Sequence, residues 1–376
     1  PLIRISEEKY MKRVLCLISG MNAGGAETFL MKLYRQLDKT KYQMDFCINV
    51  FDKCFYEEEI LALGGKIYRI PPKSVSRVAF KKQLYDIVKA NHYNYVLRVT
   101  SNAFGFMDLK IAHRAGANVC AARSSNSSDG EGLKAKVAHK LGRLLYSKYV
   151  NVKIAPSDLA AKYTFGKKDY ERGSVNILHN AIDINKYGFD ANMRLHTRSK
   201  FGISDDIMVL GHVGRFMTQK NHIFLLEIFS EYIKLNKNSI LMLVGGGELE
   251  SKIKQRASEL GIYEKIIFTG VRSDVPALLS AMDLFVFPSL YEGMPNTVIE
   301  AQATGLPCIV SNTITREADI TGLVHYLPLG NAGEWANYFE QLPHLIRGTP
   351  IQKFKENCYD IESVTEQFEI GRASCR

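Results

Sequence analysis

Residues 282–311, MDLFVFPSLYEGMPNTVIEAQATGLPCIVS, read as strand, loop, helix, turn and strand. Asp283–Phe287 is a short apolar run of strand type, closed by Pro288. The loop Ser289–Met294 carries Glu292 beside Gly293. Pro295 suits a helix start, where its missing N–H would have had no partner. The helix should run to about Thr304, with Gly305 ending it and Cys308–Val310 opening the next strand. Glu292 and Glu300 lie eight residues apart around that helix start, one on the loop and one more than a turn inside. Both can face a ligand held where free N–H groups and the positive end of the helix dipole favour a phosphate. Glu300 can then accept hydrogen bonds from hydroxyl groups of the ligand, and Glu292 can face its more distal part.

Outward from this stretch, strand-type and helical segments alternate along the chain. The first series has strand-type runs at Arg13–Ile18, Met44–Val50, Lys66–Ile70, Tyr95–Val99, Asn118–Ala122, Val152–Ile154 and Ser174–Ile177. Helical segments separate them, near Ala26–Leu37, Glu57–Leu63, Ser76–Asn91, Phe106–Ala115, Gly132–Tyr149 and Asp158–Phe165. The second series runs from Ile207–Val213 through helix Asn221–Leu235, strand Ser239–Val244, helix Glu248–Leu260, strand Lys265–Phe268 and helix Val275–Ala281. Alternation of this kind predicts α/β architecture with doubly wound parallel sheets. The polar, aperiodic stretch Asn180–Tyr187 marks the boundary. It gives domains at 1–184 and 185–350 and a C-terminal segment over 351–376 with a helix at Gln352–Glu369. Ligands of such sheets lie at the carboxyl ends of the strands.

Three loops at those ends carry glycine or basic residues. Gly20-Met-Asn-Ala-Gly24-Gly25-Ala-Glu27 follows the first strand but lacks G-x-G-x-x-G spacing, which argues against a dinucleotide site. His212-Val-Gly214-Arg215-Phe-Met-Thr-Gln-Lys220-Asn221 places two cations on one loop just before a helix, where they can converge on one anion. Val244-Gly-Gly246-Gly-Glu-Leu249 reads as a sharp turn, with a nearby ligand as a secondary role.

Glu292-Gly-Met-Pro-Asn-Thr-Val-Ile-Glu300, set between PS-x-x-EG and A-x-x-G-x-P, resembles the two-glutamate motif of retaining glycosyltransferases of family 4. The G-R-x-x-x-x-K-N and G-G-A-E runs resemble that family's loops as well. The resemblance implies a GT-B fold, two Rossmann-like domains facing a cleft, with an N-terminal acceptor-binding and a C-terminal donor-binding domain. It also implies a final helix crossing back to the first domain. The donor it implies is a nucleotide diphosphate sugar, UDP-linked rather than GDP-linked. Arg215 and Lys220 would stabilise the leaving diphosphate, Glu292 would position the sugar hydroxyls, and Glu300 would hold the ribose. Gly24 and Gly25 would let the backbone approach the sugar and phosphates. Gly214, Gly246, Gly293, Met294, Pro295 and Asn296 complete the donor side. Backbone groups near Val271 would read the base, with Arg272 stacking on it. His179-Asn180-Ala-Ile-Asp183 resembles the family's hinge, with Ala181 where glycine is usual.

One departure stands out. Many relatives carry A-H-S-H-N where this chain has Ala122-Arg-Ser-Ser-Asn126, so Arg123 replaces a histidine. Contacts to the transferred sugar or the acceptor would fall to Ser101, Arg123 or Asn126. A nucleotide-sugar 2-epimerase of similar architecture, or a non-catalytic sugar-nucleotide-binding or nucleic-acid-binding scaffold, are the alternatives. No recognised nucleic-acid motif is present.

Composition bounds the rest. Residues 1–182 hold 30 Lys and Arg against 16 Asp and Glu, whereas the remainder holds 19 against 23. The basic half suggests contact with an anionic surface such as a membrane, or is a solvated face. Within Gly132–Tyr149, Leu133, Val137, Leu141, Leu144, Leu145 and Tyr149 share one stripe among five Lys and Arg. Such a stripe either packs on the sheet or rests on an anionic leaflet, where a glycan or lipid-linked acceptor would enter. No apolar run approaches the ~20 residues of a spanning helix, and no signal peptide is predicted. Seven cysteines, odd in number and without C-x-x-C, favour a reducing cytoplasm over structural zinc. No D-x-D ends a strand and no histidines pair at ligand spacing, so neither metal nor other cofactor is expected.

Overall fold

The computed structural model describes residues 11–22, 24–125, 133–342 and 347–370, with backbone alone at 133–135 and 370. The chain divides into two compact units. One is built from the chain up to Ala181 together with the segment from Cys358, the other from Ile182–Asn357.

In the first unit seven strands form one sheet: β1 (Lys12–Leu17), β2 (Tyr42–Ile48), β3 (Ile67–Arg69), β4 (Tyr95–Thr100), β5 (Val119–Ser124), β6 (Val152–Ala155) and β7 (Asn176–Ile177). All pairings are parallel, in the order β3-β2-β1-β4-β5-β6-β7. Alternate residues of each strand feed two separate cores. Leu15, Leu17 and Val96 pack with Phe80, Leu84, Phe106 and Phe165 on one face. Cys16, Ile18, Leu97 and Val99 pack with Phe29, Leu33, Ile361 and Val364 on the other. The helix Ile361–Ile370 thus covers part of this sheet, and Tyr42 donates its hydroxyl to Glu369 O at 3.1 Å.

The second unit holds β8 (Met208–Val213), β9 (Ser239–Val244), β10 (Ile266–Gly270), β11 (Leu284–Phe287), β12 (Cys308–Ser311) and β13 (Val324–Leu327). They form a parallel sheet in the order β10-β9-β8-β11-β12-β13. Asp283, just before β11, fixes the sheet's position against the helix Ala191–Lys200. Its carboxylate accepts from Arg194 at 2.6 Å, Arg198 at 2.5 Å and the Val209 amide at 2.8 Å. Arg347 donates to the carbonyls of Leu279, Ser280, Met282 and Thr304, where two helices end. A cation there answers both the orphan carbonyls and the negative end of the helix dipole. Burial pulls the Arg347 pKa down to about 9.

Several elements depart from the sequence expectation. The single helix expected at Gln352–Glu369 is two, Ile351–Glu356 and Ile361–Ile370, separated where Cys358 takes a left-handed φ of 54°. The helix Ala191–Lys200, strand β13 and helix Ala332–Glu340 were not anticipated. The sequence of the first is mostly polar, and its arginines rather than an apolar stripe hold it. Cys16, Cys47, Cys54, Cys120 and Cys308 are free and buried.

Residues 282–311 fold as strand β11, a loop, the helix Asn296–Ala303 and strand β12, with Pro295 capping the helix. Gly305 ends that helix at φ 65°, and a Cβ there would stand 2.3 Å from Gly348 O. Gly305→Ala should therefore cost on the order of 2–4 kcal/mol, combining a left-handed penalty with overpacking. Gly348→Ala, where a Cβ meets nothing within 4 Å, should be nearly neutral. Urea midpoints of the two variants check the contrast, and equal shifts would refute it.

Candidate functional site

Strand order reverses in the second sheet between β8 and β11. From β8 the chain crosses one way to β9 and β10, and later returns to β11 on the other side. Loops leaving the carboxyl ends of two such strands diverge, and the crevice they leave is where open α/β sheets take ligands. The loop after β8 carries Gly214, Arg215 and Lys220; the loop after β11 carries Glu292 to Pro295.

These loops are joined to one another. Leu290 N donates to Gln219 O, and Gln219 Nε2 donates to Tyr291 O, each at 2.8 Å. Ser289 O anchors the second loop by accepting from the hydroxyls of Ser311 and Thr313. The result sets Lys220 Nζ 2.7 Å from Glu292 Oε1, with both side chains largely buried, and 4.6 Å from the Phe287 ring centre. Arg215 on the same loop is exposed. Its guanidinium makes no hydrogen bond or ion pair among the described residues. Two fixed cations thus belong to one loop, one balanced by a carboxylate and one open.

At the helix Asn296–Ala303 the intrahelical bonds begin at Pro295 O, which accepts from Val298 N at 3.0 Å and from Ile299 N at 3.3 Å. Gly293, Met294, Asn296 and Glu300 are half-buried there. Behind the loop, Phe216 N donates to Gly246 O and Gly214 N to Val244 O. That lacing explains two glycines of the triplet, for Gly247 has φ 159° and a Cβ on it would stand 2.6 Å from Phe216 O. Gly245 has φ 140°, and a Cβ on it would stand 2.1 Å from Gly214 O. Gly246 has no such constraint, its nearest neighbour being Val271 Cγ2 at 3.5 Å.

Other expected residues are placed differently. Val271 is 85% exposed. Arg272 holds Asp274 in a bidentate pair at 2.8 and 2.6 Å, so the edge of its guanidinium is engaged. In the first unit Gly24 caps the helix Gly25–Gln36, and the Glu27 carboxylate folds back over it, 2.3 Å from where a Gly24 Cβ would be. Ser101 is exposed at the end of β4. Arg123, expected to reach toward a ligand, is instead 2% exposed. It stacks 3.8 Å over Phe29 and donates to Asn180 Oδ1 at 2.6 Å. Burial without a carboxylate partner pulls its pKa down to about 9. Asn126 lies outside the described residues.

The helix Leu133–Tyr146 does not pack by its apolar stripe. It packs through His139, Gly142 and Tyr146. Ala103 N donates to His139 Nδ1 at 3.1 Å, so Nε2 carries the proton and donates to Tyr163 O at 3.0 Å. A Cβ on Gly142 would strike the backbone of Ala103 and Phe104. The apolar stripe faces solvent: Val137 is 51%, Leu141 47%, Leu144 80% and Leu145 51% exposed. Lys136, Lys140 and Lys148 are exposed beside it. Among the described residues no helix is long and apolar enough to cross a membrane, and no three His, Cys, Asp or Glu side chains are grouped to hold a metal ion.

Two parallel doubly wound units, the second with fixed cations and glutamates at its strand reversal, define the GT-B class of glycosyltransferase. Residues 208–343 match the family model described as glycosyl transferases group 1. Putative glycosyltransferase EpsF of Bacillus subtilis is 36% identical over 323 residues, covering 85% of this chain and 84% of that protein. The chain belongs to this glycosyltransferase family. An Escherichia coli UDP-Gal:alpha-D-GlcNAc-diphosphoundecaprenol alpha-1,3-galactosyltransferase is 36% identical over 141 residues, 37% of this chain and 36% of its own length. The crystal structure of Anabaena Alr3699/HepE with UDP and glucose shares the fold at a TM-score of 0.74 and 17% identity, covering 96% of this chain and 99% of that one.

Sequence reading missed the core beneath the site. His212 and His222 are buried edge to face, 4.7 Å apart, and His212 Nδ1 lies 2.9 Å from Val286 O. A histidine inside an apolar strand, as in Leu210-Gly-His-Val213, was the available signal. Burial, reinforced by Lys220, lowers the His222 pKa to about 4, and burial lowers that of His212 well below the usual value. The unfolded chain, titrating near 6.5, therefore binds more protons between about pH 4 and pH 6.5. Stability should be fully present above that window and fall as pH is lowered through it. His222→Phe should flatten the fall by roughly one proton, read from melting temperature against pH; an unchanged profile would refute the assignment.

Proposed function

We propose that this glycosyltransferase moves a sugar from a nucleotide diphosphate sugar, UDP-linked, onto a glycan or lipid-linked saccharide in cell-surface polysaccharide assembly. In this reading it acts with retention of configuration, as a family 4 enzyme. The observation that carries the reading is the joined pair of loops at the strand reversal of the second unit, with Lys220 against Glu292 and Arg215 open beside them. Support comes from the UDP and glucose held by a structure of the same fold and from the diphosphoundecaprenol-linked substrate in the name of the Escherichia coli relative.

In this mechanism the diphosphate lies against the start of the helix Asn296–Ala303 and takes its charge balance from Arg215 and Lys220. Those groups favour departure of the nucleoside diphosphate, because they act most strongly on the charge that develops there. Glu300 binds ribose hydroxyls, and Glu292, released from Lys220, binds hydroxyls of the sugar. The acceptor attacks from the side the diphosphate leaves, and the departing phosphate takes its proton. Two fixed cations and a helix start do the work that a divalent ion does elsewhere, so no metal is assigned.

Calorimetry with UDP, GDP and ADP on wild type, Lys220→Ala and Glu300→Ala tests the donor assignment. UDP should bind wild type tightest, and both variants should lose about tenfold or more, consistent with loss of one charge-assisted contact. No binding of any nucleotide by wild type would sink the proposal.

The exposed stripe Val137, Leu141, Leu144 and Leu145, flanked by lysines, gives the first unit an apolar and basic face. In this reading the face rests on an anionic membrane at its cytoplasmic side and so meets a lipid-linked acceptor. Wild type should float with vesicles containing anionic lipid and not with neutral ones, while Leu144→Ser with Leu145→Ser should stay in the soluble fraction. Equal flotation in all cases would overturn the membrane assignment.

A further inference from the structure

The first sheet also reverses its strand order, between β1 and β4, and a crevice of about 290 Å³ opens at the carboxyl ends of those strands. Ser19, Glu27, Lys73, Arg98, Ser101 and Ser125 are among the residues that line it. Beneath the floor lies Asp108, 1% exposed, in the first turn of the helix Phe106–Arg114. Lys73 Nζ stands 2.5 Å from one of its oxygens and Arg98 Nε 3.0 Å from the other. Two largely buried cations therefore share one buried carboxylate.

Their donors are not used up. Arg98 Nη1 donates to Leu17 O at 3.0 Å, while Nη2 has no hydrogen-bond partner among the described residues. The ammonium of Lys73 has three N–H groups and only Asp108 as an anionic partner. Ser101 and Ser125 are exposed at the rim. A larger residue at position 105 would close this space, since a Cβ on Gly105 would stand 2.3 Å from Thr100 Oγ1 and 3.4 Å from Arg98 Nε. Glu27 is the other acid at the crevice. Its carboxylate is turned back over Gly24 at the start of its own helix, where the dipole answers its charge. Unfilled donors on two cations that share a single buried carboxylate suit an oxyanion.

From this arrangement we infer that the crevice at the strand reversal of the first unit binds an anionic group of the acceptor, a phosphate or a carboxylate, through Lys73 and Arg98. This rests on the reading of the first unit as the acceptor side. A neutral saccharide would leave those cationic donors without an anionic partner, so the acceptor class is acidic or phosphorylated.

Titration calorimetry with inorganic phosphate, glucuronate and glucose tests this on wild type, Lys73→Met, Lys73→Arg and Lys220→Ala, each also titrated with UDP. At least one of the two anions should bind wild type and Lys220→Ala alike, weaken about tenfold in Lys73→Met and be retained in Lys73→Arg. Preference for glucuronate marks an acidic sugar, and preference for phosphate marks a phosphorylated acceptor. Should Lys73→Met melt early, Lys73→Gln, which keeps a donor toward Asp108, carries the same comparison. The inference fails if neither anion binds wild type, if binding survives removal of the Lys73 charge, if Lys220→Ala alone abolishes it, or if glucose responds equally. Loss of UDP binding throughout, with Lys73-dependent anion binding intact, would instead sink the donor assignment and leave the crevice standing.

Discussion

Each unit of this protein depends on one pairing: a first strand held in parallel register on both edges by strands that the chain reaches in opposite directions. β1 lies between β2 and β4, and β8 lies between β9 and β11. Right-handed crossovers place the intervening helices on opposite faces, so the loops leaving the central pair must part. Everything chemically conspicuous lies at those two partings. In the second unit it is Lys220, Arg215 and Glu292; in the first it is Lys73, Arg98 and the buried Asp108 beneath them. The sheet thus sets where charge can be sheltered before any particular residue decides what that charge will hold.

Much of this was legible in the sequence, and the reasons are specific. Strands buried on both faces read as short apolar runs, so all but β13 of the thirteen strands among the described residues are legible. Gly305 and Pro295 bracket a helix because backbone conformation leaves few other choices there. The loops after β8 and β11 could be placed because each follows an apolar run and precedes a helix. Their mutual contact could not, since Lys220 and Glu292 lie 72 residues apart and only the folded sheet brings them to 2.7 Å.

What escaped the sequence was held by something other than an apolar stripe. The helix Ala191–Lys200 is fastened by two arginines on Asp283, and a polar stretch without periodicity gave no sign of that. The helix Leu133–Tyr146 misled in the opposite sense. Its leucines announce a buried face, yet the face that packs is His139, Gly142 and Tyr146, chosen because a glycine admits the backbone of Ala103 and a histidine satisfies its amide. Arg123 shows the same limit. A cation in a site-forming run invites a ligand-binding role, but stacking on Phe29 and a bond to Asn180 make it a fastener that ties the end of β5 to the helix Gly25–Gln36 and to the stretch after β7.

The ion pair between Lys220 and Glu292 has a consequence for what the second unit can accept. A bare anion that drew Lys220 away would strand Glu292, whose side chain is only 10% exposed, without its counter-charge. Such a ligand gains one partner and orphans another, and the orphan's desolvation offsets the gain. A ligand that brings negative charge and hydroxyl donors on one rigid frame relieves both residues together. With the donor proposed above, the pair would work as a two-key lock against free phosphate, because charge and hydroxyl donors must arrive in one molecule.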